Sequence, residues 1–227
     1  MLSLVLPTLN VEGTLPAVLA ALAAARRGGL IGEIIVTDGG STDATVGEAL
    51  RTGCKVVAGP AGRGQQLVAG ATAAQGPWLL FLHGDTRLEP GWEVAAERFM
   101  AGPEGPYRAA YFRFALDDAS QAARRLERLV AWRCRWLALP YGDQGLLIHR
   151  GLYDQVGGFR PLPLMEDVDL VRRLGRRRLT PLDARALTSA GRFRAEGYRR
   201  RSLRNLGCLA LYRLGLPASL IRRLYGR

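Results

Sequence analysis

Lysine is almost absent from this chain: Lys55 is the one lysine among 32 basic residues, a bias that a GC-rich genome explains as readily as any function. Cysteine is scarce too. Cys54, Cys134 and Cys208 are odd in number, far apart and outside any CxxC pair, which argues against a disulfide framework or a zinc site and fits a reducing cytosol. No apolar run approaches the ~20 residues of a spanning helix. The opening MLSLVLPTLN is apolar, but it lacks a basic n-region and a cleavage site and runs into turn residues, so it reads as a first strand. Internal repeats and low-complexity linkers are missing. So are two nucleotide fingerprints. A GxGxxG turn should follow the first strand, where Pro7-Thr8-Leu9-Asn10 stands instead; Gly62-Arg63-Gly64-Gln65-Gln66-Leu67 has two of the three glycines and follows the third strand. A GxxxxGK[ST] loop does not occur. These absences weigh against a dehydrogenase and a P-loop NTPase.

What remains is a chain of 227 residues, 48% hydrophobic, long enough for one substantial core. Its net charge of +12 is unevenly spread. From Leu170 onward there are 16 arginines and two acids, Asp183 and Glu196; before that, 16 basic residues face 18 acids. A basic tail can bind phosphates, anionic lipid or nucleic acid, and it can equally be a solvated face with no partner.

Short apolar runs alternate with helical stretches. Leu2 to Leu6, Glu33 to Thr37, Cys54 to Val57 and Trp78 to His83 read as buried strands. Between them, helices start at Thr14 (capped by it, with Pro16 in the first turn and Gly28-Gly29 at the end), at Asp43 (capped by Ser41 or Thr42), and over 62–74; Pro90 opens a fourth ending near Met100. This rhythm predicts an α/β fold, a parallel sheet covered on both faces, with ligands outside the carboxyl ends of the strands. After Met100 it changes. Tyr107 to Leu116 looks like an edge strand, Ser120 to Leu139 a helix with Trp132 and Trp136 on one face, Gly145 to His149 a strand, and Glu166 to Arg173 a short helix. Residues 195–214 and 216–225 read as two basic amphipathic helices.

Polar residues gather where the strands end. Asp38 leads into Gly39-Gly40-Ser41-Thr42-Asp43, placed to meet a base or ribose, or simply to shape the turn and cap the next helix. WLLFLH delivers His83-Gly84-Asp85-Thr86; a carboxylate at the mouth of a buried strand suits a hard cation, and a metal is the usual way to neutralise a diphosphate leaving group. His83 can be a ligand, a ribose contact or a packed structural residue. Arg63, at a helix start between Gly62 and Gly64, can meet the same phosphates. In Glu166-Asp167-Val168-Asp169 the helix dipole accounts for some of the acids. Yet they emerge from apolar Leu164-Met165, where a carboxylate can act as general base on a hydroxyl. Asp143, in Tyr141-Gly142-Asp143-Gln144, is either an acceptor contact or an ordinary loop acid.

Taken in order, LVLPTLNVEGTL, EIIVTDGGSTDAT, GRGQQLVAGATAAQG, WLLFLHGDT, GLYDQVGGF and LMEDVDLVRRL resemble glycosyltransferase family 2, which has the GT-A fold: a Rossmann-like, mostly parallel sheet flanked by helices. The likeness covers roughly residues 1–178. HGDT, YGDQGLLIHR and TSAGRF look most like the subgroup of arsenosugar-biosynthesis glycosyltransferases. The resemblance implies a single GT-A domain over 1–227, with a nucleotide-sugar half (1–100), an acceptor half (101–194) and C-terminal basic helices (195–227). It implies donor contacts from Pro7, Thr8, Asn10, Glu12, Asp38, Arg63, His83, Gly84 and Asp85, with Mn²⁺ or Mg²⁺ on Asp85. Glu166 and Asp167 carry over as the catalytic pair, Asp167 as base, and Asp143, Gln144 and Trp136 are the acceptor candidates. The metal motif is commonly two acids flanking one residue; here His83 holds the first position. No QxxRW-like segment is present, so single transfer is expected rather than chain extension.

The activity implied is inverting, metal-dependent transfer from a nucleotide-diphosphate sugar, UDP-sugars favoured, to a hydroxyl of a small or lipid-linked acceptor. A nucleotidyltransferase is the competing enzyme reading, although it gives Glu166-Asp167 no task. A basic membrane- or nucleic-acid-binding module is the non-enzymatic one, and it leaves the strand-end acids unexplained. Nucleic acid is not the expected partner. The expected location is the cytoplasm, with the C-terminal helices touching the inner face of the membrane.

Overall fold

The computed structural model describes residues 1–225; the last two positions of the predicted C-terminal segment, 226 and 227, lie outside the described residues. In chain order the elements are β1 (Leu2–Thr8), α1 (Leu15–Arg27), β2 (Ile31–Asp38), α2 (Thr45–Arg51), β3 (Lys55–Ala58), α3 (Arg63–Ala73), β4 (Trp78–Phe81), β5 (Thr86–Leu88), α4 (Trp92–Ala101) and β6 (Ala109–Leu116). There follow α5 (Gln121–Leu137), β7 (Leu146–His149), α6 (Arg150–Gln155), α7 (Glu166–Leu174), β8 (Leu179–Thr188), α8 (Gly191–Glu196), α9 (Tyr198–Arg213) and α10 (Ala218–Tyr225). Among the described residues the strands form one sheet in the order β3-β2-β1-β4-β7-β6-β8-β5. The first four are parallel, β7 runs against both β4 and β6, and β6 and β8 are parallel.

Continuous apolar strands are what a sheet buried on both faces requires. Val5, Ile35, Leu79 and Phe81 point to one face and meet α3, α5, α6, α7 and α9. Leu4, Leu6, Ile34, Val36 and Leu80 point to the other and meet α1 and α4. The α1 contacts Leu15, Val18, Leu19, Leu22 and Ala25 recur at helical spacing and are all buried.

Four expectations are corrected. The strand Ala109–Leu116 is not at an edge: β8, which the sequence conceals, pairs along it in parallel, so that of its residues only Arg113 is exposed. β8 reads LTPLDARALT; its proline and its half-solvated face hide the strand pattern, and Pro181 sits beside the register break opposite Tyr111. Thr14 stands at the start of α1 but does not cap it with its side chain; its hydroxyl donates instead to Gly84 O, 2.9 Å away. Neither Ser41 nor Thr42 caps α2, which begins at Thr45, where Asp43 Oδ1 accepts the Thr45 amide. And α9 is apolar on two faces rather than one, with Cys208 and Leu209 inside and Leu203 and Leu206 outside. Among the described residues no helix is long and apolar enough to cross a membrane. All three cysteines are buried and unpaired.

Candidate active site

The carboxyl ends of β1 and β4 open on one side of the sheet, into a cleft of two joined chambers. The larger, about 510 Å³, is bordered by Pro7, Thr8, Gly62 and Gly84 at the strand and helix ends, and by Leu164 and Arg222 opposite. The smaller, about 160 Å³, is bordered by Tyr141, Asp143, Asp167, Ser189 and Arg201. Arg63, His83, Asp85, Leu164 and Arg192 line both chambers. Segments a hundred and more residues apart therefore meet at Asp85.

The acid wall begins at Met165, which takes a left-handed conformation (φ 65°) immediately before α7. A long side chain seldom does so, and such residues cluster where a site demands a particular chain path. The turn sends the next two acids in different directions. Glu166 is buried and ion-paired to Arg63, with Oε2 left without a partner. Burial pushes its carboxyl up, Asp167 adds to this, and Arg63 opposes it. Burial works against the Arg63 charge, but Glu166, Asp167 and Asp143 together hold that guanidinium above its ordinary value. Asp167 faces the cleft. Its Oδ2 accepts the Gly142 amide at 2.7 Å and its Oδ1 the Val168 amide at 2.7 Å. Asp169 turns away into an ion pair with Arg173 at 2.6 Å.

Gly142 is wedged between two site residues. A Cβ there would fall 2.5 Å from His83 Nε2 and 3.3 Å from Asp167 Oδ2. His83 thus packs directly beneath the loop whose amide holds Asp167. Next to it, Asp143 Oδ1 is buried without a hydrogen-bond partner. Burial raises this carboxyl to about 6; Asp167 and Asp85 push the same way, while Arg133 and Arg63 oppose them.

On the loops after β1 and β2 the polar residues are engaged with one another. Asp38 accepts from Thr8 Oγ1 (3.0 Å), Gly40 N (2.9 Å), Ser41 N (2.7 Å) and Ser41 Oγ (2.5 Å), which holds it below the usual carboxylate range despite its burial. Asn10 Oδ1 accepts the Thr42 amide and Glu12 Oε2 the Ala44 amide, both at 2.9 Å. Buried Gln66 donates to Thr8 O and Thr37 O, 2.7 Å each, and locks the ends of β1 and β2 together.

The family model described as Glycosyl transferase family 2 matches residues 3–162, which includes the carboxyl ends of β1, β2 and β4 and stops just short of α7. The chain belongs to glycosyltransferase family 2. Uncharacterized glycosyltransferases of Mycobacterium tuberculosis and Mycobacterium bovis are 40% identical to it over 90 residues, 39% of this chain and 38% of theirs; the match thus spans well under half the length of these curated relatives. Two solved structures share the fold. Glucosyl-3-phosphoglycerate synthase from M. tuberculosis, in complex with Mn²⁺, UDP and glucosyl-3-phosphoglycerate, is 22% identical, with a TM-score of 0.60 over 96% of this chain and 81% of that one. S. aureus TarS 1–349, in complex with UDP, is 18% identical, with a TM-score of 0.63 over 83% of this chain and 61% of that one. The α/β architecture of this family 2 member is the GT-A fold.

Of the residues expected in the site, Pro7, Thr8, Arg63, His83, Gly84, Asp85, Asp143 and Asp167 border the cleft. Glu166 sits behind it. Asp38, Asn10 and Glu12 serve the β1 and β2 loops. Two acceptor candidates lie away from the cleft lining. Gln144 is buried and bonded to Phe112 O, the Tyr141 amide and Arg133, so it supports the loop from inside. Trp136 stands exposed on α5, outside the cleft. Arg192, Arg201 and Arg222 border the cleft and were not anticipated, because nothing in an arginine-rich tail marks which arginines fold back over the sheet.

Proposed function

We propose that this family 2 chain is an inverting glycosyltransferase that moves a sugar from a nucleotide-diphosphate donor, UDP-sugars favoured, to an acceptor hydroxyl. The observation that carries the reading is the position of Asp85, shared by the two chambers, with Asp167 on the wall of the smaller one. The larger chamber takes the nucleotide and the smaller the acceptor. Most of the larger chamber comes from residues 1–100 and most of the smaller from 101–194, while residues 195–225 add Arg201 to the smaller chamber and Arg222 to the larger.

A divalent cation fits the donor set. Among the described residues no three His, Cys, Asp or Glu side chains are grouped to hold one by themselves. A single hard carboxylate, Asp85, would therefore be the protein's contribution to holding Mn²⁺ or Mg²⁺ when the donor is bound. Such an ion supplies neutralisation of the departing charge. The chain does the rest. Arg63 and Arg192 add positive charge at the junction of the chambers. Asp167, held by the Gly142 amide, takes the acceptor proton, and the hydroxyl then attacks the anomeric carbon from the face opposite the leaving diphosphate. Glu166 positions Arg63 from behind. His83 supports Gly142 and hence Asp167.

Within the family we favour the arsenosugar-biosynthesis subgroup. The three segments that carry that likeness, 83–86, 141–150 and 188–193, all contribute residues to the smaller chamber, which is where acceptor choice is made. The acceptor is then a small hydroxyl compound, with a lipid-linked one the alternative, and the cell compartment is the cytoplasm. The test is slow donor hydrolysis, screened over UDP- and GDP-sugars with Mn²⁺. Release of the nucleoside diphosphate from one class supports the reading; release of pyrophosphate in a parallel incubation with a nucleoside triphosphate and a sugar 1-phosphate would assign the cleft to nucleotidyl transfer.

A further inference from the structure

Two helices on one face of the sheet expose apolar stripes of the same pattern. On α5, Arg125, Leu129, Trp132 and Trp136 follow at i, i+4, i+7 and i+11. On α9, Arg199, Leu203, Leu206 and Ala210 repeat that spacing. In each helix the stripe lies opposite the buried residues: Val130 and Cys134 face the core from α5, Cys208 and Leu209 from α9. The side chains stand in solvent, with Leu129 56%, Trp132 53%, Trp136 57%, Leu203 68% and Leu206 61% exposed. The helices pack on the same core cluster and touch each other, so both stripes look away from the same face of the sheet.

The surroundings of the stripes are of one sign. Arg125, Arg128 and Arg135 flank the first, and Arg199, Arg200 and Arg213 the second. Among the described residues none of these six is paired with a carboxylate. A solvated face would not need five large apolar side chains in register, and a protein partner would more usually present acids in fixed places. Tryptophans and leucines ringed by unpaired arginines match the boundary layer of an anionic bilayer, where the indole ring sits at headgroup depth and guanidinium meets lipid phosphate.

We propose that the α5–α9 face docks on anionic membrane, with Trp132 and Trp136 entering the interface. This differs from docking by the C-terminal helices alone: α10 buries Ile221 and turns Arg222 to the cleft, and the principal anchor lies on α5. The proposal does not depend on the transfer reaction.

The test is co-sedimentation with phosphatidylcholine vesicles with and without phosphatidylglycerol, at low salt, read together with tryptophan emission. Trp78 and Trp92 are buried, so a blue shift on binding reports Trp132 and Trp136. Expected are binding to anionic vesicles only, a blue shift, roughly tenfold or greater weakening in Trp132→Ser/Trp136→Ser at unchanged net charge, and weakening of about fivefold per charge in Arg199→Gln/Arg200→Gln. All four sites are exposed, and unchanged thermal melts will show that the variants fold. The proposal is overturned if wild type stays in the supernatant, if the tryptophan variant binds as wild type does, or if the protein elutes as a dimer that the tryptophan substitutions dissociate.

Discussion

At the scale of single residues, the cleft gives two carboxyl groups, Asp167 and Asp143, different surroundings. Asp167 receives two amide hydrogen bonds and faces the smaller chamber; Asp167→Asn should leave nucleotide binding intact and lower kcat by at least about 10²-fold, measured as nucleoside diphosphate release. Asp143 is the strained member. Its carboxyl is raised to about 6 from 3.8, so below about pH 4 both folded and unfolded chains carry it neutral. Above that the unfolded chain ionises first, and stability falls until the folded carboxyl follows. Asp143→Asn should therefore stabilise the metal-free protein at pH 7 by on the order of 1–3 kcal/mol, read as a raised melting temperature, and leave stability unchanged near pH 3. Asp85, Asp143, Arg63 and Asp167 were legible in the sequence because each follows an apolar run or glycine turn that must end at a surface. The support under Asp167 was not. His83 and Gly142 are 59 positions apart, and no local pattern says that an imidazole will lie against that glycine.

At the scale of elements, the site depends on α3 seating closely against the loop before α7. A Cβ on Gly64 would come within 2.4 Å of Leu162 O and 2.7 Å of Arg160 O, both backbone atoms, and backbone cannot swing aside as a side chain can. Gly64→Ala should cost roughly 1–3 kcal/mol by denaturant unfolding and weaken nucleotide binding with it, since Arg63 moves with the helix start. The first four strands and their helices could be read from the alternation of buried runs and turn residues. β8 could not. Pro181, Asp183 and Arg185 interrupt its pattern, and its strand character comes from pairing with β6, a tertiary cause that intrinsic preference does not record. β5, three residues paired with β8, was hidden for the same reason.

At the scale of the whole molecule, the GT-A sheet carries two polar centres of unlike character. The cleft gathers acids and arginines where the strands end, while the α5–α9 face gathers arginines around tryptophan and leucine. The uneven charge in the sequence foretold a basic tail from Leu170 onward but neither its division nor the arginines of α5, because arginines over the cleft and arginines on the outer face look alike in one dimension. We propose that Asp85 would hold the divalent ion used with the nucleotide diphosphate, at the junction of the two chambers. Calorimetry of UDP with and without Mn²⁺, on wild type and Asp85→Ala, tests it most directly. Metal-dependent binding in wild type that disappears in Asp85→Ala is the predicted result; UDP binding that is indifferent to both Mn²⁺ and Asp85, or no binding under any metal condition, would contradict it.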